Sequence, residues 1–219
     1  MYLNLRCYSI IYKLFFIGLF LFITAETKAQ FQLNGSASKI ECKCYQLNPD
    51  TVNVMGSVWN IYKIDLTQSF DYKFLVNAGC NNFSQWVGAD GMAFGLQPLN
   101  TSIGVAGGQM GFGGVHPSVG VYIDTYQNTA HGDPINDHIS INLNGDVFHN
   151  STNNVAGPYD LGEVENCISE PLRIIWDATT TTMTVYYNNI QVLTYSNDIV
   201  NNIFSGDSLV YWGFTASTG

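Results

Sequence analysis

The chain has 219 residues, 17 of them acidic and 8 strongly basic, for a formal net charge of −9. That balance repels phosphate backbones and excludes nucleic acid as a partner, while cations and neutral ligands such as sugars stay open. The length suits one domain with a full core, and only 11% of residues are charged, so any cluster of carboxylates is informative.

At the N-terminus, Arg6 and Lys13 precede the apolar run "LFFIGLFLFI", and "TKAQ" then sets Thr27 and Ala29 where a signal peptidase needs small residues. This reads as a secretory signal peptide over residues 1–29, cut between Ala29 and Gln30, with one domain over residues 30–219. The run is short for a membrane span. The protein is therefore expected to be secreted or displayed at the cell surface. Cleavage removes Arg6, Lys13, Lys28 and Glu26, so the net charge moves from −9 to −11.

Cys42, Cys44, Cys80 and Cys167 remain. Export makes disulfides the default reading, with Cys80–Cys167 the preferred pair. Cys42 and Cys44 stand too close for an easy mutual bridge. Zinc is disfavoured because "CKC" lacks a second close Cys or His pair.

Almost every ordered segment has the two-residue period of a half-buried strand. "KIDLTQSFDYKFLVNAG" alternates Ile64, Leu66, then Phe70, Tyr72, Phe74 and Val76. "HISINLNGD" alternates Ile139, Ile141 and Leu143. "LRIIWD", "TMTVYYNNIQVLTY" and "LVYWGFTAS" are further strands, and Asn188–Asn189 is placed as a two-residue hairpin turn. No long stretch has helical periodicity. The pattern predicts an all-β chain of two packed antiparallel sheets. "FTASTG" follows a strand directly and stops in a turn, so a closing strand, and further domains, are expected beyond Gly219.

Three polar segments carry the chemistry. "YIDTYQNTAHGDPINDH" sets Asp124, Asn128, Asp133 and His138 close together, with Asp124 at the end of a strand and "GDP" bending the chain back. Hard oxygen donors of this kind suit Ca²⁺; an Asx-rich loop whose carboxylates cap backbone amides is the alternative. "GADGMAFGLQP" places Asp90, an acceptor-only group when ionised, just before an apolar strand. "GVAGGQMGFGG" offers bare backbone amides for close approach to a ligand. His116, His131 and His149 read as loop histidines.

In this order, "GADGMAF", "AGGQMGFGG", "VYIDTYQNTAHGDPINDHISI" and "VYWGFTASTG" resemble the L-type, legume-lectin-like domains over nearly the whole mature chain, and most of all their bacterial secreted branch. The resemblance implies a jelly-roll sandwich that is concanavalin-like, with a calcium-organised sugar site built from loops. It implies Asp124, the Tyr126 carbonyl, Asn128 and Asp133 as calcium ligands, and a cis Ala89–Asp90 peptide. It also implies that Asp90, the Gly108 amide and the Asn128 amide hold the sugar while Tyr126 stacks on it. Plant members complete a second, transition-metal site with His138 and a glutamate two positions before the shared aspartate. Tyr122 stands there in this chain and is a poor ligand, so the second site is expected to be weak or missing.

A glycoside hydrolase on the same sandwich is the rival reading. Laminarinase-like enzymes carry E-[apolar]-D-x-x-E on one strand, where the two glutamates act as nucleophile and acid/base. The aligned stretch "YIDTYQ" has Tyr122 and Gln127 at those positions, and the chain is read as non-enzymatic. A purely structural surface module is the remaining alternative, separated from a lectin only by whether Asp90, Gly108, Tyr126 and Asn128 converge on a ligand.

Overall fold

The alternating apolar pattern folds as the two sheets expected. A computed structural model describes residues 1–5, 30–80, 88–104 and 109–219; the apolar run of the leader and Gly108 lie outside the described residues. In chain order the strands begin with β1 (Tyr2–Leu5), β2 (Phe31–Gly35), β3 (Ser38–Glu41), β4 (Cys44–Gln46) and β5 (Met55–Asn60). They continue with β6 (Ile64–Asp65), β7 (Phe70–Asn77), β8 (Gly91–Gln97), β9 (Val119–Asp124) and β10 (Asp137–Leu143). The last are β11 (Asn154–Gly162), β12 (Glu170–Asp177), β13 (Thr182–Tyr187), β14 (Ile190–Ser196) and β15 (Leu209–Ser217). Helix among the described residues is limited to a 3₁₀ turn at Thr129–His131 and the single turn α1 (Ile199–Asn202), none of it long enough to cross a membrane.

One sheet runs β14-β13-β12-β7-β1-β4-β3, and the other β11-β10-β9-β8-β15-β5-β2 with β6 paired to β15. Their facing sides form the core. Phe74, Leu172, Ile174, Trp176 and Val185 from the first meet Phe94, Val121, Ile141, Trp212 and Phe214 from the second. Asn188 and Asn189 turn the β13–β14 hairpin with φ of 47° and 64°, as a two-residue hairpin loop requires.

The second sheet is buried on its other side too. Residues 109–118 fold over it, so Met110, Phe112 and Val115 pack on Trp59, Ala93 and Tyr122. That cover explains why β8 and β9 are buried at every position, where the sequence pattern suggests one solvated face.

Residues 1–29, assigned above to a leader, contribute one element. Tyr2–Leu5 lies between β7 and β4, with Leu3 aligned to Val76 and Tyr45 and only 1% exposed. An extended segment at this place satisfies two backbone edges that would otherwise face each other unpaired.

Cys80 and Cys167 are joined as expected, with Cα atoms 4.5 Å apart across 87 residues. Among the described residues Cys42 and Cys44 are free thiols. The bridge ties the end of β7 to the approach to β12. Replacing both cysteines with serine is expected to destabilise the protein by about 4–5 kcal/mol, because the unfolded chain regains the freedom that a closed loop spanning 87 residues denies it. Chemical denaturation of the double variant checks this; an unchanged midpoint would leave the bridge without a stabilising role.

Candidate functional site

Register builds the site. Ser217 of β15 aligns with Gly91 of β8, Gly91 with Asp124 of β9, and Asp124 with His138 of β10. The row brings the start of β8, the end of β9 and the start of β10 side by side at one end of the loop-covered sheet. Gly91 is required there: its φ is +137°, and a Cβ would sit 2.3 Å from the Ile123 carbonyl oxygen.

Asp90 stands just ahead of this row. Its peptide bond to Ala89 is cis, as the resemblance implies. Its N–H donates to Ser217 O at 3.0 Å, its carbonyl accepts from Thr125 N–H at 3.1 Å, and Ser217 Oγ–H donates to its Oδ2 at 3.2 Å. Asp90 is thus fixed by its backbone, with the carboxylate on the side facing Gly219. Burial raises its pKa, and the Ser217 hydrogen bond opposes that shift.

The loop between β9 and β10 folds back on itself. Tyr126 N–H donates to Asp124 Oδ1 at 3.0 Å, and Asn128 N–H donates to Asp133 Oδ2 at 2.6 Å. These are the backbone caps of the Asx-loop alternative, and they use one oxygen of each carboxylate. The other oxygens turn inward. Asp133 Oδ1 is buried without a hydrogen-bond partner, and Asp124 Oδ2 lies 4.0 Å from His138 Nε2. Tyr126 is 41% exposed and Asn128 is half-buried, so both reach the surface beside the buried acids.

His149 enters the same cluster. The loop joining β10 to β11 carries its ring against His138, with the two Nε2 atoms 2.8 Å apart. His149 Nε2 is also 3.4 Å from Asp133 Oδ1, and His138 Nε2 is 3.9 Å from that oxygen. The sequence reading left His149 among the loop histidines. It is in a loop, but its ring points inward. The available signal was an imidazole in the Asp/Asn-rich stretch "DVFHNSTNN", eleven residues past His138.

The electrostatics follow from burial without a counterion. Desolvation pushes the Asp124 carboxyl up to about 8, with Asp133, Asp90 and Asp137 adding to the shift and the Tyr126 N–H opposing it. Asp133 is raised by burial, against the pull of the Asn128 N–H and of His149 and His131. Burial lowers His149 to about 4, with His138 adding to that fall, and burial lowers His138 as well. A cation placed among these groups would reverse the penalty on both carboxylates. Hard carboxylate and carbonyl oxygens at Asp124, Tyr126, Asn128 and Asp133 fit calcium, and the partnerless Asp133 oxygen is the observation that supports the fit.

Tyr122 takes no part. Its ring lies back over Gly120, where a Cβ would come within 2.5 Å of it, and packs on Phe112. The residue that replaces the expected ligand is thus a filler of the apolar layer. It also occupies one of the two carboxylate positions that the hydrolase reading requires.

Fold and site together define an antiparallel sandwich with an acidic, histidine-bearing loop cluster suited to cations beside a fixed aspartate. The chain belongs to the family described as the legume lectin beta-barrel domain, which it matches over residues 23–219. It is 34% identical over 146 residues to the bark lectin of Styphnolobium japonicum, covering 60% of this chain and 48% of that protein. The seed lectin of the same plant is equally similar, with 44% of its length covered. The chain therefore spans about half the length of these curated relatives. Among solved structures, basic winged bean lectin with Tn-antigen superposes with a TM-score of 0.71 at 24% identity, over 88% of this chain and 84% of that one. Winged bean acidic lectin complexed with methyl-α-D-galactose gives 0.71 at 22% identity, over 89% and 86%. At these identities the superpositions speak for the fold.

Proposed function

We propose that the protein is an exported, non-enzymatic lectin that binds glycans through a calcium-organised loop site. The observation that carries this reading is the pairing of Asp90 with the β9–β10 loop, held together by the Thr125 N–H to Asp90 carbonyl hydrogen bond. In this reading Asp124, Asp133, the Asn128 side chain and the Tyr126 carbonyl hold the calcium. When bound, the ion supplies the positive charge that keeps these carboxylates ionised in a buried place.

The sugar contacts belong to the chain. The Asp90 carboxylate accepts from two adjacent hydroxyls, the Asn128 amide and the Gly108 N–H donate to them, and the exposed Tyr126 ring covers an apolar pyranose face. Family membership and the lectin relatives support this assignment, and the leader sequence supports export. A single shallow site of this type binds weakly, so display in several copies raises avidity more than any one contact does.

A glycan array probed with the full chain tests the proposal. Signal on a defined subset of glycans in calcium, lost in EDTA and restored by calcium, is the expected result. Equal signal in calcium and EDTA, or none on any glycan, would overturn it.

A further inference from the structure

We propose that His149 completes a second metal site, distinct in composition from the calcium site, with His138, Asp133 and Asp124 as its other ligands and zinc-like ions as its preferred occupants. The proposal stands on the geometry of the cluster and needs no glycan to bind.

The first observation is the spacing of the donor atoms. In a tetrahedral site with bonds near 2.0 Å, neighbouring ligand atoms lie about 3.3 Å apart. The two Nε2 atoms and Asp133 Oδ1 are separated by 2.8, 3.4 and 3.9 Å, which brackets that edge length. Asp133, His138 and His149 form the compact trio, and Asp124 Oδ2, at 4.0 Å from His138 Nε2, stands at its edge as the fourth donor. The second observation is independent of spacing. Asp133 Oδ1 has no hydrogen-bond partner although its side chain is fully buried, and it is aimed between the two imidazoles.

The hydrogen bonds behind the rings prepare them as ligands. His138 Nδ1 faces the Asn136 carbonyl at 3.3 Å; a carbonyl only accepts, so Nδ1 carries the hydrogen and Nε2 turns its lone pair into the cluster. This is the support that metal-bound histidines usually have. His149 Nδ1 faces the Asn154 amide at 2.9 Å, and Asn154 Nδ2 donates to Asn142 Oδ1 at 3.0 Å. In this arrangement His149 donates its Nε2–H to His138. Turning both amides over makes Asn154 Oδ1 the acceptor for a His149 Nδ1–H and frees the Nε2 lone pair for a metal. The same turn gives the buried, partnerless Asn142 Nδ2 an acceptor. The cluster therefore has a proton-bridged form and a metal-ready form, related by two amide rotations.

The donor set decides which ion. Two imidazoles and two carboxylates suit zinc, cobalt and nickel, whereas a site with one imidazole and three carboxylates would suit manganese better. Loss of the carboxylate at position 122 and gain of an imidazole from a different loop thus shift the preference from manganese toward zinc.

The test uses the full chain without a histidine tag, saturated with calcium so that the calcium ligands are occupied. Isothermal titration is expected to show one equivalent of zinc bound, with manganese at least about 100-fold weaker. Cobalt is expected to give the intense visible bands of a four-coordinate ion. His149→Gln should weaken zinc about 100-fold or more, and should bleach the cobalt bands. Should that variant fail to fold, imidazole nitrogen NMR of the wild type decides: zinc must displace the His149 Nε2 resonance. Manganese binding as tightly as zinc, weak six-coordinate cobalt bands, or a zinc isotherm unchanged in His149→Gln would each overturn the proposal. Loss of glycan binding with zinc uptake intact would instead count against the lectin reading alone.

Discussion

Stripping calcium with EDTA is expected to lower the melting temperature by on the order of 10 °C, and Asp133→Ala is expected to erase that difference. A ligand that binds only the folded state at about 1,000 times its dissociation constant adds about 4 kcal/mol. For a domain of this size each kcal/mol moves the midpoint by about 2–4 °C. Asp133 is the choice for substitution because both of its oxygens are committed to the loop: one accepts from Asn128 N–H, and the other faces the histidines.

The pH dependence gives the same test a sign. In the metal-free protein Asp124 has a folded pKa raised to about 8. The unfolded chain then holds fewer protons than the folded one, so stability falls as pH rises from about 4 to 8. His149, lowered to about 4, acts oppositely, and its contribution is complete once pH exceeds its ordinary value near 6.5. Between about pH 6.5 and 8 the Asp124 loss is no longer offset by His149. The metal-free melting temperature should fall across that window, and the gain from calcium should grow, since protons no longer compete for the carboxylate. Differential scanning calorimetry at pH 6.5 and 8 measures both; a calcium effect that shrinks with rising pH would return the loop to a network of backbone caps.

The two-residue period was enough to place β7, β10, β12, β13, β14 and β15, because each has a core face whose register tolerates no slip. At β8 and β9 the strands were legible, but the burial of both their faces was not. There the loop over residues 109–118 covers the face that alternation assigns to solvent, and no local pattern in the strand announces a distant cover. Strand β1 was illegible for a related reason: Leu3 finds its place only through partners at Val76 and Tyr45. At the site, Asp124, Asn128, Asp133 and His138 were legible because they are close in sequence. His149 was not, since its role depends on where the β10–β11 loop returns. Tyr122 was legible as a missing ligand but not as a packing residue, which required knowing that Gly120 leaves room for its ring.

Asp90→Ala is expected to abolish glycan binding while the fold persists. The residue is anchored by main-chain hydrogen bonds to Ser217 and Thr125, which alanine retains, and the side chain contributes one bond, from Ser217 Oγ. Its carboxyl is held in a place where burial disfavours the charge, so removing it costs the folded state little. It also adds to the repulsion that raises Asp124, so its loss eases ionisation of that carboxyl. The sugar loses far more. An ionised acceptor serving two hydroxyls is worth about 1.5–3 kcal/mol per bond, so removing it weakens a shallow site by about 100-fold or more. Asp90→Asn separates charge from shape: the side chain keeps its volume and one acceptor oxygen, but the other position becomes a donor facing a hydroxyl that must donate. Both variants should keep the wild-type melting temperature in calcium and lose glycan signal on the array. If either binds glycans as wild type does, the sugar is held elsewhere on the sandwich and Asp90 is a structural residue of the β8 entry.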